Sequence, residues 1–235
     1  MRILAFDSTA ITASVAVAED ERLIAEITLN NGNTHSQTLL PMAESLFRML
    51  DITADDIDLF AVSEGPGSFT GVRIGAATVK GLAFGRDAQC IGVSTLEALA
   101  YNLIGRNGLI CPVMNARRSQ VYTALFESDG VELKRLSEDD AISIAELDSL
   151  LAEKKQKVSF CGDGYDVTLP EIKLTEYETT PKRLRHQSAY SVACVALKKY
   201  KSGDFVDDSK LVSTYLRPCQ AERELMEKMK NKENN

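Results

Sequence analysis

"RILAFDSTAITASVAVAEDERLIAEITLN", residues 2–30, contains three apolar segments separated by two short polar turns. The first segment ends at Asp7 and the second covers Ala13–Ala18. The third covers Leu23–Leu29, after a turn at residues 19–21. Short apolar segments bounded by turn residues are typical of β-strands. The stretch therefore predicts a three-stranded meander.

The second half of the chain begins in the same way. Residues 108–138, "GLICPVMNARRSQVYTALFESDGVELKRLSE", predict a buried strand, a polar turn, a strand over Val121–Phe126, a turn at 128–130 and a third strand. Asp7 and Asn115 stand at equivalent places, each where the first strand ends. The pattern indicates a structural duplication, although similar meanders also arise by chance.

Helix and strand patterns alternate between the two meanders. An apolar stripe predicts a helix over 37–50, and Pro41 means that the regular helix begins close to it or is kinked there. A strand at 58–65 leads through a glycine turn into a helix over 70–85. A strand at 88–94 and a helix from Thr95 to Gly105 follow. The order β-β-β-α-β-α-β-α predicts an α/β fold.

The rest of the chain is less regular. Ser143 and Glu146 form a capping-box pattern before a short helix over 145–154. A strand is expected at 157–164 and an amphipathic helix at 188–201, separated by an irregular stretch. The charged tail after Pro218 is expected to be a frayed or disordered helix.

Composition excludes several classes of function. The chain has 235 residues, is 44% hydrophobic and carries a formal net charge of -7. A charge of this sign argues against independent binding of nucleic acid, which requires clustered Lys and Arg. The five cysteines are widely spaced, which is typical of reduced, intracellular proteins. Because no signal peptide or membrane span is recognisable, we expect a cytoplasmic protein.

Few residues have the spacing of a catalytic site. His35 and His186 are far apart, and neither has a metal-binding spacing, so we expect each to be a surface or interface residue. No G-x-S-x-G elbow supports hydrolase chemistry. The stretch "GPGSFTG", residues 65–71, fits neither common phosphate-loop spacing. We interpret it as a tight turn in which Gly65 and Gly67 have positive φ and Ser68 or Thr70 caps the helix.

Asp7 and Ser8 are weak candidates for a phosphate- or metal-directing pair. Asp7 ends the first strand, where actin-like ATPases and sugar kinases keep such a carboxylate. The equivalent residue of the repeat, Asn115, cannot compensate the charge of a cation, so the clamp is incomplete. The alternatives are that Asp7 forms a turn or that the chain is a small-molecule phosphotransferase or ATPase.

The two helices predicted at 37–50 and 70–85 have more apolar surface than one neighbour requires. Such a surplus on adjacent helices indicates a helix-on-helix dimer interface. A charge introduced at Val72 or Ala76 is therefore expected to weaken association while the monomer stays folded. The expected interface residues are His35, Leu39, Leu40, Ala43, Leu46, Phe47, Val72, Arg73, Gly75, Ala76 and Val79.

Several stretches are recognisable as a set, and they occur in order along the chain. They are "ILAFDSTAITASVAV" (3–17), "HSQTLLP" (35–41), "SEGPGSFTGVRIG" (63–75), "GVSTLEALA" (92–100), "NARRSQVY" (115–122) and "YLRP" (215–218). Together they strongly resemble the TsaB (YeaZ) family of bacterial proteins. Asn115 stands where that family usually has Asp before "ARR".

The resemblance implies the duplicated, ribonuclease-H-like fold of actin, Hsp70 and sugar kinases. It implies one lobe over 1–106 with the partner-binding helices, a reduced lobe over 107–218, and a tail over 219–235. Catalytic relatives carry a metal-binding H-x-x-x-H where this chain has Thr95 and Leu99. The resemblance therefore implies a subunit without a catalytic metal.

By the same resemblance, the chain is a dimerising subunit of the complex that forms N6-threonylcarbamoyladenosine at position 37 of tRNA. The implied partners are a TsaD-like catalytic paralogue, a TsaE-like ATPase and a second copy of the chain, with tRNA held only through the complex. No cofactor of its own is expected, whereas ATP or ADP at the joint between subunits is compatible with the family.

Overall fold

Five strands form the first sheet in a computed structural model of the protein, which describes residues 1–86 and 88–217. The strands are β1 (Arg2–Asp7), β2 (Ala13–Glu19), β3 (Arg22–Leu29), β4 (Leu59–Gly65) and β5 (Gln89–Ser94). Their order is β3-β2-β1-β4-β5, antiparallel from β3 to β1 and parallel from β1 to β5. The predicted meander is confirmed.

The second sheet repeats this arrangement. Its strands are β6 (Asn107–Arg117), β7 (Gln120–Thr123), β8 (Phe126–Asp129), β9 (Leu133–Arg135), β10 (Asp140–Ser143), β11 (Val158–Cys161) and β12 (Tyr177–Glu178). The order β10-β7-β6-β11-β12 is again antiparallel up to β6 and parallel beyond it. The duplication is therefore confirmed, and the fold is the duplicated α/β type that the sequence predicts.

The strand predicted over Val121–Phe126 is divided in two. β7 pairs with the last part of β6 and β8 with its first part, so both lie on the same side of β6. Ala124 and Leu125 connect them, and both are buried. Because the stretch contains only one clearly polar residue, Thr123, and no turn residue, its pattern does not reveal the break. The predicted third strand, β9, pairs with β8, and β10 occupies the place that β3 has in the first sheet.

Six α-helices accompany the sheets within the described ranges 1–86 and 88–217. They are α1 (His35–Leu50), α2 (Phe69–Ala83), α3 (Thr95–Tyr101), α4 (Ile144–Lys154), α5 (Tyr165–Thr168) and α6 (Ala189–Lys201). Pro41 lies inside α1, so the helix begins well before the proline. The predicted helix of the charged tail lies outside the described residues, as does Cys219.

The helices form layers on the sheets. In β1, Leu4 and Phe6 pack toward α1 and α2, whereas Ile3 and Ala5 pack toward α6. Helix α3 packs on the first sheet and also on β6, so it joins the two sheets, and α4 covers the outer face of the second sheet. Helix α6 belongs to the range 107–218 but lies on the first sheet. The boundary after residue 106 stays a prediction.

Two glycines of α2 give a matched test of this packing. A Cβ at Gly71 would overlap the backbone oxygen of Ser8, whereas a Cβ at Gly81 meets nothing within 4 Å. We expect Gly71→Ala to lower the free energy of unfolding by about 1–3 kcal/mol or more, since neither backbone can yield easily. Gly81→Ala should raise it by about 0.5–1 kcal/mol through helix propensity. Urea unfolding of both variants measures the two signs, and equal effects would contradict the close approach of α2 to Ser8.

Candidate functional site

Helices α1 and α2 lie against each other on one face of the first sheet. Many residues that the sequence assigns to a partner interface are instead buried between these helices and the sheet. That part of the prediction is corrected, because the largest apolar stripe of each helix faces its own sheet. The buried residues are Leu39, Ala43, Leu46, Val72, Gly75, Ala76 and Val79.

A different face of α2 is open to solvent. Arg73, Ala77 and Gly81 follow one another at intervals of four residues and are all exposed, so they form one row along the helix. Phe84, directly after the helix, is 75% exposed. We call Arg73, Ala77, Gly81 and Phe84 the outer row. Small side chains flanked by an exposed aromatic ring allow another backbone to approach closely.

Helix α1 adds apolar side chains to this surface. Leu40 is 42% exposed, and Phe47, seven residues later on the same side, is half-buried. Of the predicted interface residues, Leu40, Phe47 and Arg73 thus remain available to a partner. Ala77 and Phe84 are missed by the sequence argument, although the helical period places Ala77 opposite Val79. Contact of this surface with a partner stays a prediction.

His35 has a structural role at the start of α1. Its Nε2 lies 2.6 Å from the carbonyl oxygen of Ala10, in the turn between β1 and β2. The other ring nitrogen, Nδ1, is buried and has no hydrogen-bond partner among the described residues. The ring therefore joins α1 to the turn that follows Asp7.

The carboxylate of Asp7 is used inside the protein. One oxygen accepts hydrogen bonds from the backbone N–H and the hydroxyl of Thr9, at 2.9 and 2.7 Å. The other accepts a bond from the hydroxyl of Ser63 at 2.5 Å. Burial raises the pKa of Asp7, against the lowering effect of these bonds. The interpretation of Asp7 as a turn-forming residue agrees with this geometry.

Ser8 and the glycine turn fix the start of α2. The hydroxyl of Ser8 donates to the carbonyl oxygen of Gly71 at 2.9 Å. Ser68 is the N-cap, since its hydroxyl accepts a bond from the N–H of Gly71 at 3.3 Å. Gly65 has the expected positive φ of 119°. Gly67 does not, and a side chain there is excluded by contact with Thr9.

A cleft of about 620 Å³ separates the carboxyl ends of the two sheets. The first sheet contributes Thr9 and the turn at residues 66–70, and the second contributes Asn115, Arg117 and Asp163. Residues 214–217 form a further wall. The side-chain oxygen of Asn115 accepts a bond from the N–H of Arg117 at 2.8 Å, so this amide organises its own loop.

Asp163 is a group that the sequence argument does not find. It follows β11 in a Gly-Asp-Gly turn, at the place that Gly65-Pro66-Gly67 has after β4, and this equivalence is the only signal for it. Its Oδ1 is buried and has no hydrogen-bond partner in the described part of the chain. Burial raises the pKa of Asp163 to about 6.

Asp163→Asn is expected to stabilise the protein above pH 6 and not at pH 4. Between the unfolded pKa of 3.8 and the folded value of about 6, the native state binds more protons than the unfolded state. Stability therefore falls as pH rises through this window, by up to about 3 kcal/mol for a shift of this size. Urea unfolding at pH 4 and pH 8 measures the difference, and an equal effect of the substitution at both values would contradict it.

Comparison with known proteins gives the family. A family model described as TsaD, tRNA N6-adenosine threonylcarbamoyltransferase, matches residues 22–217. The tRNA threonylcarbamoyladenosine biosynthesis protein TsaB of Bacillus subtilis is 32% identical over 231 residues, which cover 98% of this chain and 100% of the relative. The chain belongs to the TsaB family. TsaB of Escherichia coli is 35% identical over 161 residues, 68% of each protein.

Solved structures agree with the family's fold. YeaZ from Pseudomonas aeruginosa matches with a TM-score of 0.74 and 23% identity, over 92% of this chain and 99% of that one. Another structure, of an uncharacterized Pseudomonas aeruginosa protein with similarity to peptidase YeaZ, has a TM-score of 0.78, 23% identity and the same coverage. The agreement concerns the arrangement of strands and helices.

Residues 1–86 and 88–217 hold neither a cluster of metal-ligating side chains nor an exposed thiol. This part of the chain contains no group of three or more His, Cys, Asp or Glu side chains placed to hold a metal ion. Its cysteines are buried free thiols, and burial raises the pKa of Cys111 to about 12. None of the helices in this range has the length and apolar character needed to cross a membrane.

Proposed function

We propose that the chain is the non-catalytic, dimerising scaffold subunit of the complex that forms N6-threonylcarbamoyladenosine at position 37 of tRNA. It binds the TsaD-type catalytic paralogue through the outer row and the exposed side chains of α1. Membership of a family whose relatives are named for this pathway supports the reaction. The assignment of the binding surface rests on one observation, which is the exposed outer row of α2 that ends at Phe84.

Two features support a role without catalysis. Asp7 accepts three hydrogen bonds from Thr9 and Ser63, so its oxygens are already occupied. Thr95 and Leu99 lie buried in α3, where the resemblance places a pair of metal-binding histidines in catalytic relatives. Neither residue type replaces an imidazole as a ligand. The chain organises a site that another subunit completes.

The same surface serves several partners in this proposal. A second copy of the chain covers the outer row when the catalytic paralogue is absent, because one self-complementary patch can form both contacts. A TsaE-like ATPase completes the assembly in the cytoplasm. The chain has no cofactor of its own, ATP or ADP binds at the joint between subunits, and tRNA is held by the complex.

Reconstitution tests the proposal. The paralogue, the ATPase, tRNA, threonine, bicarbonate and ATP are combined with and without this chain, and modified adenosine is measured by mass spectrometry of digested tRNA. Product should form only when the chain is present, and the chain alone should show no magnesium-dependent ATP turnover. Equal product in its absence would remove the proposed function. Turnover by the chain alone that is lost in Asp7→Ala would favour a phosphotransferase instead.

A further inference from the structure

The arginines of this acidic chain fall into two groups. Several form ion pairs with Asp or Glu, and these are Arg2, Arg22, Arg86, Arg106, Arg135 and Arg185. The other six arginines of residues 1–86 and 88–217 have no acidic partner within these ranges, and these are Arg48, Arg73, Arg117, Arg118, Arg183 and Arg217. Of these, Arg117 and Arg217 line the cleft, Arg118 follows Arg117 in the same exposed loop, and Arg73 contacts the lining residues Phe69 and Tyr215. Cations that the protein's own acids do not neutralise are free to attract an external anion.

Contacts connect these arginines across the opening. The guanidinium of Arg73 lies 3.8 Å from the centre of the Phe69 ring, and its Nε donates to the hydroxyl of Tyr215 at 3.0 Å. Arg217 follows Tyr215 by two residues, and its guanidinium carbon lies 6.0 Å from the centre of the Tyr122 ring. Arg117 lines the same cleft, and Arg118 follows it. We call Arg117, Arg118, Tyr122, Tyr215 and Arg217 the cleft mouth, whereas Arg73 belongs to the outer row and holds the Tyr215 hydroxyl from the side of α2.

The loop that presents two of these arginines has an unusual backbone. Arg117, Arg118 and Ser119 all have positive φ, at 64°, 54° and 54°, and all are exposed. Non-glycine residues in this region cost about 1–3 kcal/mol each and cluster at functional sites. The loop is held by the Asn115 side chain at Arg117 N–H and by the bond from Ile144 N–H to Ser119 oxygen, at 2.8 and 3.1 Å.

Helix α2 adds positive potential at the same place. Its first residues and its N-cap, Ser68–Thr70, line the cleft. The N-terminus of a helix carries roughly half a positive charge, which favours an anion. Acidic groups in the region are Asp163, inside the cleft, the buried Asp7 near it, and Asp140, which precedes the Ala141 carbonyl contacted by Arg217. At the opening itself, the arginines outnumber these acidic groups.

The arrangement fits an extended polyanion better than one phosphate group. Arg117 and Arg118 are adjacent and exposed on one loop, whereas Arg217 lines the cleft from a separate segment, so the three cations come from two places in the chain. Tyr215, two residues before Arg217, is 41% exposed. Surfaces that bind unpaired nucleotides typically combine arginines placed along the path of the nucleic-acid backbone with accessible aromatic rings.

We propose that the cleft mouth contacts the phosphate backbone of the RNA substrate, with Tyr122 and Tyr215 beside its unpaired bases. This inference rests on the proposed function, since a chain with a net charge of -7 binds RNA weakly by itself. The catalytic paralogue brings the RNA near, and the cleft mouth adds a contact from this subunit.

The test compares two pairs of adjacent cations. Arg117→Ala/Arg118→Ala removes two charges from the cleft mouth, and Lys182→Ala/Arg183→Ala removes two exposed charges from a short helix outside the cleft. Each variant is assembled with the catalytic paralogue, and tRNA affinity is measured at several salt concentrations. The cleft-mouth variant should bind tRNA about 10-fold or more weakly. Its slope of log K against log salt should be smaller by about 1–2, since each lost phosphate contact reduces the slope by about 0.7–0.9. The control should match the unmodified chain.

Each outcome has a separate meaning. Failure of the unmodified chain to co-elute with the paralogue contradicts the proposed function and overturns this inference with it. Intact assembly with an unchanged salt slope overturns the inference alone. Competition by poly-glutamate as strong as that by tRNA would assign the surface to an acidic protein instead. If thermal unfolding shows that the double variant is not folded, Arg118→Ala at the exposed tip of the loop gives the same measurement.

Discussion

Ala77→Glu in α2 is expected to weaken association with the catalytic paralogue by about 100-fold or more while leaving the monomer folded. Ala77 is exposed in the middle of the outer row, so the new carboxylate is hydrated in the free chain. In the complex it would be buried without a partner, and an unpaired buried charge costs several kcal/mol. Calorimetric titration against the paralogue measures the loss, and circular dichroism checks the fold.

Ala145→Glu is the matched control for this experiment. Ala145 is likewise an exposed alanine in a helix, but it lies in α4 on the second sheet. The same change in size and charge should leave the affinity unaltered there. An equal loss for both variants would indicate a general charge effect, and no loss for Ala77→Glu would move the interface away from α2.

Val72→Glu, in the same helix, is expected to unfold the monomer. Val72 is fully buried in α2, the helix that packs on β1 and β4 of the first sheet, so the substitution places a charge in the protein interior. A loss of about 4 kcal/mol or more is the usual result of burying an unpaired charge, and this approaches the whole stability of an ordinary domain. Urea unfolding followed by circular dichroism measures the effect.

Comparison of Val72→Glu with Ala77→Glu separates stability from association. The expectation from sequence that charge at Val72 or Ala76 leaves the monomer folded is wrong, because both residues are buried in the monomer. If a Val72 variant loses binding, the cause would be unfolding of the monomer and not the loss of a contact with the partner. A folded Val72→Glu monomer would contradict the packing of α2 on the sheet.

Sequence patterns predict the strands well where short apolar segments are bounded by clear turn residues. The first meander, the strands at β4 and β5 and their duplication in the second sheet follow from short apolar segments bounded by polar turns. The division between β7 and β8 cannot be predicted, because Ala124 and Leu125, where the chain passes from one strand to the other, are buried and apolar like a strand interior. Likewise, no local pattern shows that α6 packs on the first sheet.

The sequence pattern assigns the candidate interface to faces of α1 and α2 that are mostly buried in the monomer. The apolar stripe of an amphipathic helix identifies the side that is buried, but not what buries it. Leu46 and Val79 belong to that stripe and face the chain's own sheet. The outer row consists of small or mixed residues, which have no hydrophobic period, so only a three-dimensional arrangement reveals it.

The chemistry of the cleft depends on contacts between distant segments. The turn that Asp7 forms with Thr9 is local in the chain and can be expected from sequence, whereas the bond that Asp7 accepts from Ser63 is visible only in the folded structure. Asp163 and the cleft mouth combine residues from both sheets and from residues 214–217. A single sequence does not show which of these segments meet.

The position of α6 has a consequence for synthesis on the ribosome. The strands of the first sheet are complete once β5 has emerged, yet the side of the sheet that carries Ile3, Ala5, Ile91 and Val93 is covered by a helix from residues 189–201. The nascent polypeptide therefore keeps this apolar side open until nearly all of the chain has been translated. Chaperones that hold exposed hydrophobic surface have their longest opportunity to act on this protein during that interval.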